Sequence, residues 1–185
     1  MKTKAKLSVL FVVLLAAVCL FSAGRLEAAA RGGTIVYGSW QSPENLDTHK
    51  TGLQATLAIA TQIHDPLLRQ RPGDPKIYPG LAQSYKVSSD AREYTFYLRK
   101  GIKFHDGTPF NAQAVKFSLD RAVDPATMAI VARGALGPYD SCEVIDDYTV
   151  KVKFKKPFAG FLNMCCTVYV TMISPTAVKK WGDQY

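Results

Sequence analysis

The sequence predicts a mixed α/β (α+β) fold built around a small antiparallel sheet, and three observations carry that expectation. Tyr94, Phe96 and Leu98 alternate with Thr95, Tyr97 and Arg99, and Tyr148, Val150, Val152 and Phe154 alternate with Thr149, Lys151, Lys153 and Lys155. A period of two is what a strand with one buried and one wet face requires. Elsewhere apolar residues recur every three or four positions, at Leu53, Leu57, Ala60, Ile63 and Leu67, and again at Val115, Leu119 and Ala122, which is one face of a helix. With 185 residues, 48% hydrophobic and 21% charged, the chain has enough apolar surface to bury a core.

Taken in order, Lys2, Lys4 and Lys6 precede an uncharged apolar run, Leu7 to Phe21. That run is shorter than the ~20 residues a bilayer-spanning helix needs. Ala28 and Ala30 supply small residues at −3 and −1, with a competing site at Ser22-Ala23-Gly24, so residues 1–30 read as a secretory signal peptide and Arg31 as the start of the mature chain. Val18 stands where a small residue should precede a lipidated cysteine, which argues against a lipid anchor at Cys19. Thr34 to Gly38 reads as a short buried strand, followed by the polar loop SWQSPENLD. The helix from Leu53 is stopped near Asp65-Pro66, and RQRPGDPKIYPG is loop, rich in proline and glycine. Asp106-Gly107 is a favoured turn pair, and Asn111 is a good N-cap for the second helix, which Asp124-Pro125 ends. Asp146-Asp147 turns the lysine-studded strand back onto Cys142 to Ile145. Phe158, Phe161, Leu162 and Cys165 make a short helical stripe, Thr167 to Ile173 reads as a strand, and Ser174-Pro175 opens a last helix with no C-cap before Tyr185. From that ending the expectation is a truncated product or a remnant.

The charge argues against nucleic acid as a partner. Without residues 1–30, 19 basic residues face 14 acidic ones, spread along the chain as on a solvated surface. Export would place Cys142, Cys165 and Cys166 in an oxidising compartment. One disulfide from Cys142 to either neighbour, or a set of buried free thiols, would each fit. HExxH, GxSxG, GxxxxGK[ST] and GxGxxG are all absent. The histidines His49, His64 and His105 have no second histidine at ligand spacing, so no catalytic residue, metal site or cofactor is expected. Glu44, Asp47, Asp65 and Asp106 carry no spacing that would pair them as acid and base, and His105-Asp106 fits a polar turn.

The run QSYKVSSDAREYTFYLRKGIKFHDGTPFNAQAVKFSLDRAVDP, residues 83–125, closely resembles the signature of the family 5 solute-binding proteins of ABC transporters, the peptide- and nickel-binding group. Gly32 to Gly38, Asn45-Leu46-Asp47, Tyr78 to Ala82, and Asp147-Tyr148-Thr149 with Lys156-Pro157-Phe158 extend the resemblance. Tyr85 stands where tryptophan is common, Ala91 for glycine, Asn111 for threonine and Ala114 for an acid. The resemblance implies the N-terminal part of a two-lobed periplasmic-binding-protein-like fold, with residues 31–52 and 167–185 in the first lobe, 53–166 as an extra small antiparallel domain, and the second lobe missing. It implies a monomeric, extracytoplasmic binder, periplasmic where an outer membrane exists, that delivers a peptide or similar small solute to membrane permease subunits. Ser39, Trp40 and Gln41, with Tyr169 near the hinge, are the residues expected to touch ligand. Trp40 could offer a flat apolar face and one N–H donor, or could pack under its own loop. A secreted hydrolase reusing the fold is the alternative from another class.

Overall fold

The computed structural model describes residues 33–182; the expected signal peptide, residues 1–30, lies outside the described residues. The chain divides after Gly38. Residues 33–38 form no strand, and Ile35 is 94% exposed. The buried strand expected at Thr34 to Gly38 is therefore corrected: β-branched residues favour extended backbone, but a ladder needs a neighbouring strand to satisfy its N–H and C=O groups.

From Ser39 the elements run α1 (Gln54–Ile63), β1 (Leu68–Gln70), β2 (Ile77–Pro79), β3 (Ala82–Val87), β4 (Glu93–Leu98), α2 (Ala112–Val123), a 3₁₀ turn (Pro125–Thr127) and α3 (Ile130–Leu136). They continue with β5 (Tyr139–Asp146), β6 (Thr149–Phe154), α4 (Phe161–Met164), a second 3₁₀ turn (Val168–Val170) and α5 (Pro175–Trp181). The main sheet has the order β3-β4-β6-β5 and is antiparallel throughout. Cross-strand partners Tyr94↔Val152 and Phe96↔Val150 put the expected apolar face on one side, where both strands bury every second residue. On the wet face Lys151 pairs with Glu93 at 3.5 Å and Lys153 with Glu143 at 2.8 Å.

The buried face is filled by rings. Phe161 of α4 meets Tyr94 at 5.0 Å and Phe154 at 4.7 Å between centroids, both edge-on, the arrangement aromatic quadrupoles favour. The Tyr94 hydroxyl donates to the Phe158 carbonyl at 2.8 Å, which keeps its one polar atom satisfied. Asn111 caps α2 as expected, accepting from the Ala114 N–H at 3.1 Å, and Val115, Leu119 and Ala122 are buried.

Three further expectations change. Much of RQRPGDPKIYPG is a hairpin, β1 pairing with β2. Gly80 closes it: a Cβ there would lie 2.7 Å from the Pro66 carbonyl oxygen, so only glycine lets the two backbones approach. Thr167 to Ile173 forms the second 3₁₀ turn, with one isolated bridge from Thr171 to Pro66, in place of the expected strand. The last helix has a C-cap after all: Gly182 adopts φ 54° and donates to the Val178 carbonyl. All three cysteines among the described residues are free thiols.

Ala91 holds φ 52° in the turn between β3 and β4, its N–H donating to Ser88. An L-residue there strains against its own carbonyl by ~1–2 kcal/mol, less the flexibility that glycine adds to the unfolded chain. Ala91→Gly is expected to stabilise the protein by about 0.5–1 kcal/mol, read as a higher urea midpoint at unchanged slope.

Candidate functional site

The loop after residue 38 begins as a serine turn. Ser39 Oγ donates to the Gln41 carbonyl at 2.7 Å and accepts from the Gln41 N–H at 3.4 Å. Trp40, at the tip, is 82% exposed and has no hydrogen-bond or ring partner among the described residues. The alternative in which Trp40 packs under its own loop is thereby set aside.

Beyond the tip the chain dives inward. Asn45 Oδ1 accepts from the Asp47 N–H at 3.0 Å, and Asp47 Oδ1 accepts from the His49 N–H at 3.1 Å. These two turns, of the kind short carboxylate and amide side chains favour, aim Asp47, Thr48 and His49 into the interior, where all three are buried. Arg121, from the last turn of α2, donates to Asp47 through Nη2 to Oδ2 at 2.6 Å and through Nη1 to Oδ1 at 3.2 Å. The same Nη1 lies 3.3 Å from His49 Nδ1, and His49 Nε2 lies 3.0 Å from the Thr171 carbonyl. A guanidinium has only donors and a carbonyl only accepts, so His49 is neutral, accepting at Nδ1 and donating from Nε2. Thr48 Oγ1 and Thr171 Oγ1 meet at 2.7 Å. His64, just past α1, reaches the Leu46 carbonyl at 3.2 Å.

Burial opposes ionisation of Asp47, but the Arg121 hydrogen bond and charge, with His49, outweigh it and leave the carboxyl below its ordinary range. Burial drives the His49 imidazole down to about 4, against the pull of the Thr171 carbonyl and Asp47. The network joins three segments far apart in sequence: the loop at 45–49, the end of α2, and the 168–171 turn.

Tyr169 sits on that last turn, half-buried against the edge of the core. Among the described residues no hydrogen bond or ring contact joins it to Ser39, Trp40 or Gln41. The structure thus ties residues 47–49, further along the same loop from Gln41, and the turn bearing Tyr169 to one buried network, without bringing the four expected side chains together.

Of the four carboxylates expected to be unpaired as acid and base, Asp47, Asp65 and Asp106 are engaged in other bonds. Asp65 forms an ion pair with Arg69. Asp106 accepts from Ser174 Oγ at 2.5 Å and from the Thr108 hydroxyl and N–H, and these bonds hold its carboxyl below the usual range. Gly107 takes φ 82° and His105 is exposed, so His105-Asp106 is a turn that docks on the cap of α5. Beside it opens a cavity of about 240 Å³ walled by Ile63, Leu81, Phe104, Phe110 and Met172, with none of the four expected contact residues in its lining. Burial pushes the Cys142 thiol up to about 12 and the Cys165 thiol well above its ordinary value, leaving neither as a thiolate nucleophile near neutral pH. Among the described residues no group of three or more His, Cys, Asp or Glu side chains could hold a metal ion. No helix among them is long and apolar enough to cross a membrane.

In the sequence Asp47 stood as a loop carboxylate with no partner at any acid–base spacing and as part of the Asn45-Leu46-Asp47 resemblance, and His49 as an isolated histidine. Nothing in a 74-residue separation points from Asp47 to Arg121; the pairing exists because the fold carries the end of α2 to that loop.

Residues 76–184 match the family described as "Bacterial extracellular solute-binding proteins, family 5 Middle". Over 104 residues the chain is 48% identical to the glutathione-binding protein GsiB of Shigella flexneri, an alignment covering 56% of this chain and 20% of that protein. The chain thus spans about a fifth of the length of the curated relatives it matches. Among solved structures, AgaA of A. tumefaciens R10 in complex with agropinic acid superposes with a TM-score of 0.71 and 33% identity, over 77% of this chain and 28% of that one. Haemophilus influenzae OppA, in complex with the peptide RPPGFSPFR, superposes with a TM-score of 0.69 and 27% identity, over 76% and 30%.

Proposed function

This chain belongs to the bacterial extracellular solute-binding proteins of family 5, and from that premise we propose that it serves in the extracytoplasmic substrate-binding component of an ABC importer for peptides or similar small solutes. It acts as a monomer, carries out no reaction itself, and hands its solute to the membrane permease; residues 31–52 and 167–185 lie in its first lobe and 53–166 form its small antiparallel domain. The glutathione and peptide ligands of two similar proteins support the peptide class. Ser39, Trp40 and Gln41 contact the ligand, with Tyr169 at its periphery.

The observation that carries this reading is Trp40. A large aromatic side chain stands 82% exposed on a loop whose base is tied down by a buried ion pair. Such a ring offers apolar area and one N–H donor at little entropic cost to an extended ligand. The test is calorimetric titration, with glutathione and with tri- to pentapeptides, of the protein as its source cells secrete it. Trp40→Ala is expected to weaken the bound peptide roughly tenfold. Trp181→Ala, the same change at a half-exposed site on α5, should leave affinity unchanged. Equal affinity of wild type and Trp40→Ala would overturn the assignment of Trp40, and absence of binding by every probe would overturn the peptide class.

A further inference from the structure

We propose that the buried Asp47–Arg121–His49–Thr171 network is a proton-sensitive latch, with Arg121 and His49 as positioning residues, that holds the Ser39–Gln41 loop and the turn bearing Tyr169 in place and releases them when His49 is protonated. The inference rests on the reading that these two segments contact ligand, and it adds what positions them and what lets them go.

The geometry leaves the imidazole no room for a second proton. His49 is fully buried, Nδ1 already faces the Arg121 guanidinium at 3.3 Å, and Nε2 faces the Thr171 carbonyl at 3.0 Å. A proton on Nδ1 would set an N–H against a donor and a positive charge against a guanidinium, in a fully buried setting where screening is weak. The Thr171 carbonyl and the Asp47 carboxylate favour the charged ring, but burial outweighs them and Arg121 and His64 oppose it. On its own segment His49 has Asp47, already bridged through both oxygens to Arg121, and Lys50 next in the chain. From α1 the nearby titratable group is His64, a further imidazole, which opposes the charge. From α2, Asp120 is taken by Lys116 and the Tyr139 hydroxyl, and Asp124 caps the 3₁₀ turn at Ala126. The 168–171 turn presents the Thr171 carbonyl and hydroxyl. Protonation is therefore met by opening, which frees both anchored segments together.

The direction follows from where the proton binds better. The folded imidazole holds its proton less tightly than the ordinary 6.5, down to about 4. The latch is complete above the ordinary value and weakens as pH falls from there through 4. Between pH 7 and pH 4 the open population is expected to rise on the order of a hundredfold. Asp47, whose carboxyl the Arg121 guanidinium holds below its ordinary range while the latch is closed, favours the closed form in the same direction.

Trp40 reports the loop directly, because Trp181→Phe leaves it as the sole tryptophan of the two in the chain. The experiment labels that protein with 5-fluorotryptophan and follows the Trp40 fluorine line and the His49 ring protons by NMR from pH 7.5 to 3.5. We expect the two to shift with one midpoint below pH 6, the step to vanish in His49→Asn, and to persist in His64→Asn and His105→Asn. A Trp40 line that stays flat through the His49 titration overturns the latch, as does a step that survives His49→Asn. Should His49→Asn fail to fold, coincidence or separation of the two wild-type midpoints decides alone. Peptide titrations on the same samples separate the two readings. Affinity falling at least tenfold from pH 7 to pH 4 supports both, whereas no binding at pH 7 with the Trp40 step intact overturns the ligand assignment and supports the latch.

Discussion

Arg121→Met is expected to destabilise the protein by about 3–5 kcal/mol, because it strands Asp47 as a buried carboxylate without its guanidinium. The loss comes less from the pair's own attraction than from the desolvation of the charge left behind. The Asp47 side chain is 1% exposed and that of Arg121 9%, so neither can turn to water without dismantling the loop. A second substitution separates these effects. Asp47→Asn combined with Arg121→Met removes both charges, and the double variant should recover more than half of the loss. Urea unfolding of the wild type, both single variants and the double variant at pH 7.5 gives the coupling directly. A double variant no more stable than Arg121→Met would mean that Arg121 acts through its packing and not through its charge.

Phe161→Ala should be comparably severe, at about 3–5 kcal/mol, or a fall in Tm of roughly 10 °C. Phe161 is fully buried and its ring lies within 4.7 to 6.3 Å, centroid to centroid, of Phe154, Tyr94, Phe96 and Phe158. Those partners come from β4, β6 and the segment before α4, so no single neighbour can fold into the vacated space. The helix that carries Phe161 is only four residues long, too short to persist on intrinsic propensity; it stays in place because this ring is inserted. Phe161→Leu keeps most of the volume and should cost less than about 1.5 kcal/mol. Thermal unfolding of the two variants measures the difference. An alanine variant as stable as the leucine variant would show that the ring cluster adds nothing beyond filling space.

What could be read from the chain and what could not follow the range of the forces involved. The strands at 93–98 and 149–154 lay open in alternation, the start of α2 in Asn111 and its end in Asp124-Pro125, and the β5–β6 turn in Asp146-Asp147. Each is decided by residues within a few positions of one another, through side-chain direction, capping bonds and the limits proline places on φ. The polar turn at His105-Asp106 was legible for the same reason, glycine at position 107 supplying the positive φ. The hairpin hidden in RQRPGDPKIYPG was not, since β1 and β2 are three residues each and too short to show a period. Thr34 to Gly38 and Thr167 to Ile173 erred the other way. Both have the composition of strands, but a ladder requires a partner, and composition says nothing of whether one is adjacent.

The sequence by itself determined the antiparallel sheet, its apolar and lysine-bearing faces, the second helix and the family to which the chain belongs. Those follow from local periodicity and from a long run of residues in fixed order. Tertiary structure alone decided that Trp40 stands in solvent, that Tyr169 rides on a turn at the edge of the core, and that Asp47, His49, Arg121 and Thr171 meet. A buried charge must find its counter-charge wherever the fold brings one within reach. Here the guanidinium that neutralises Asp47 comes from the far end of α2, a distance along the chain that no spacing rule spans.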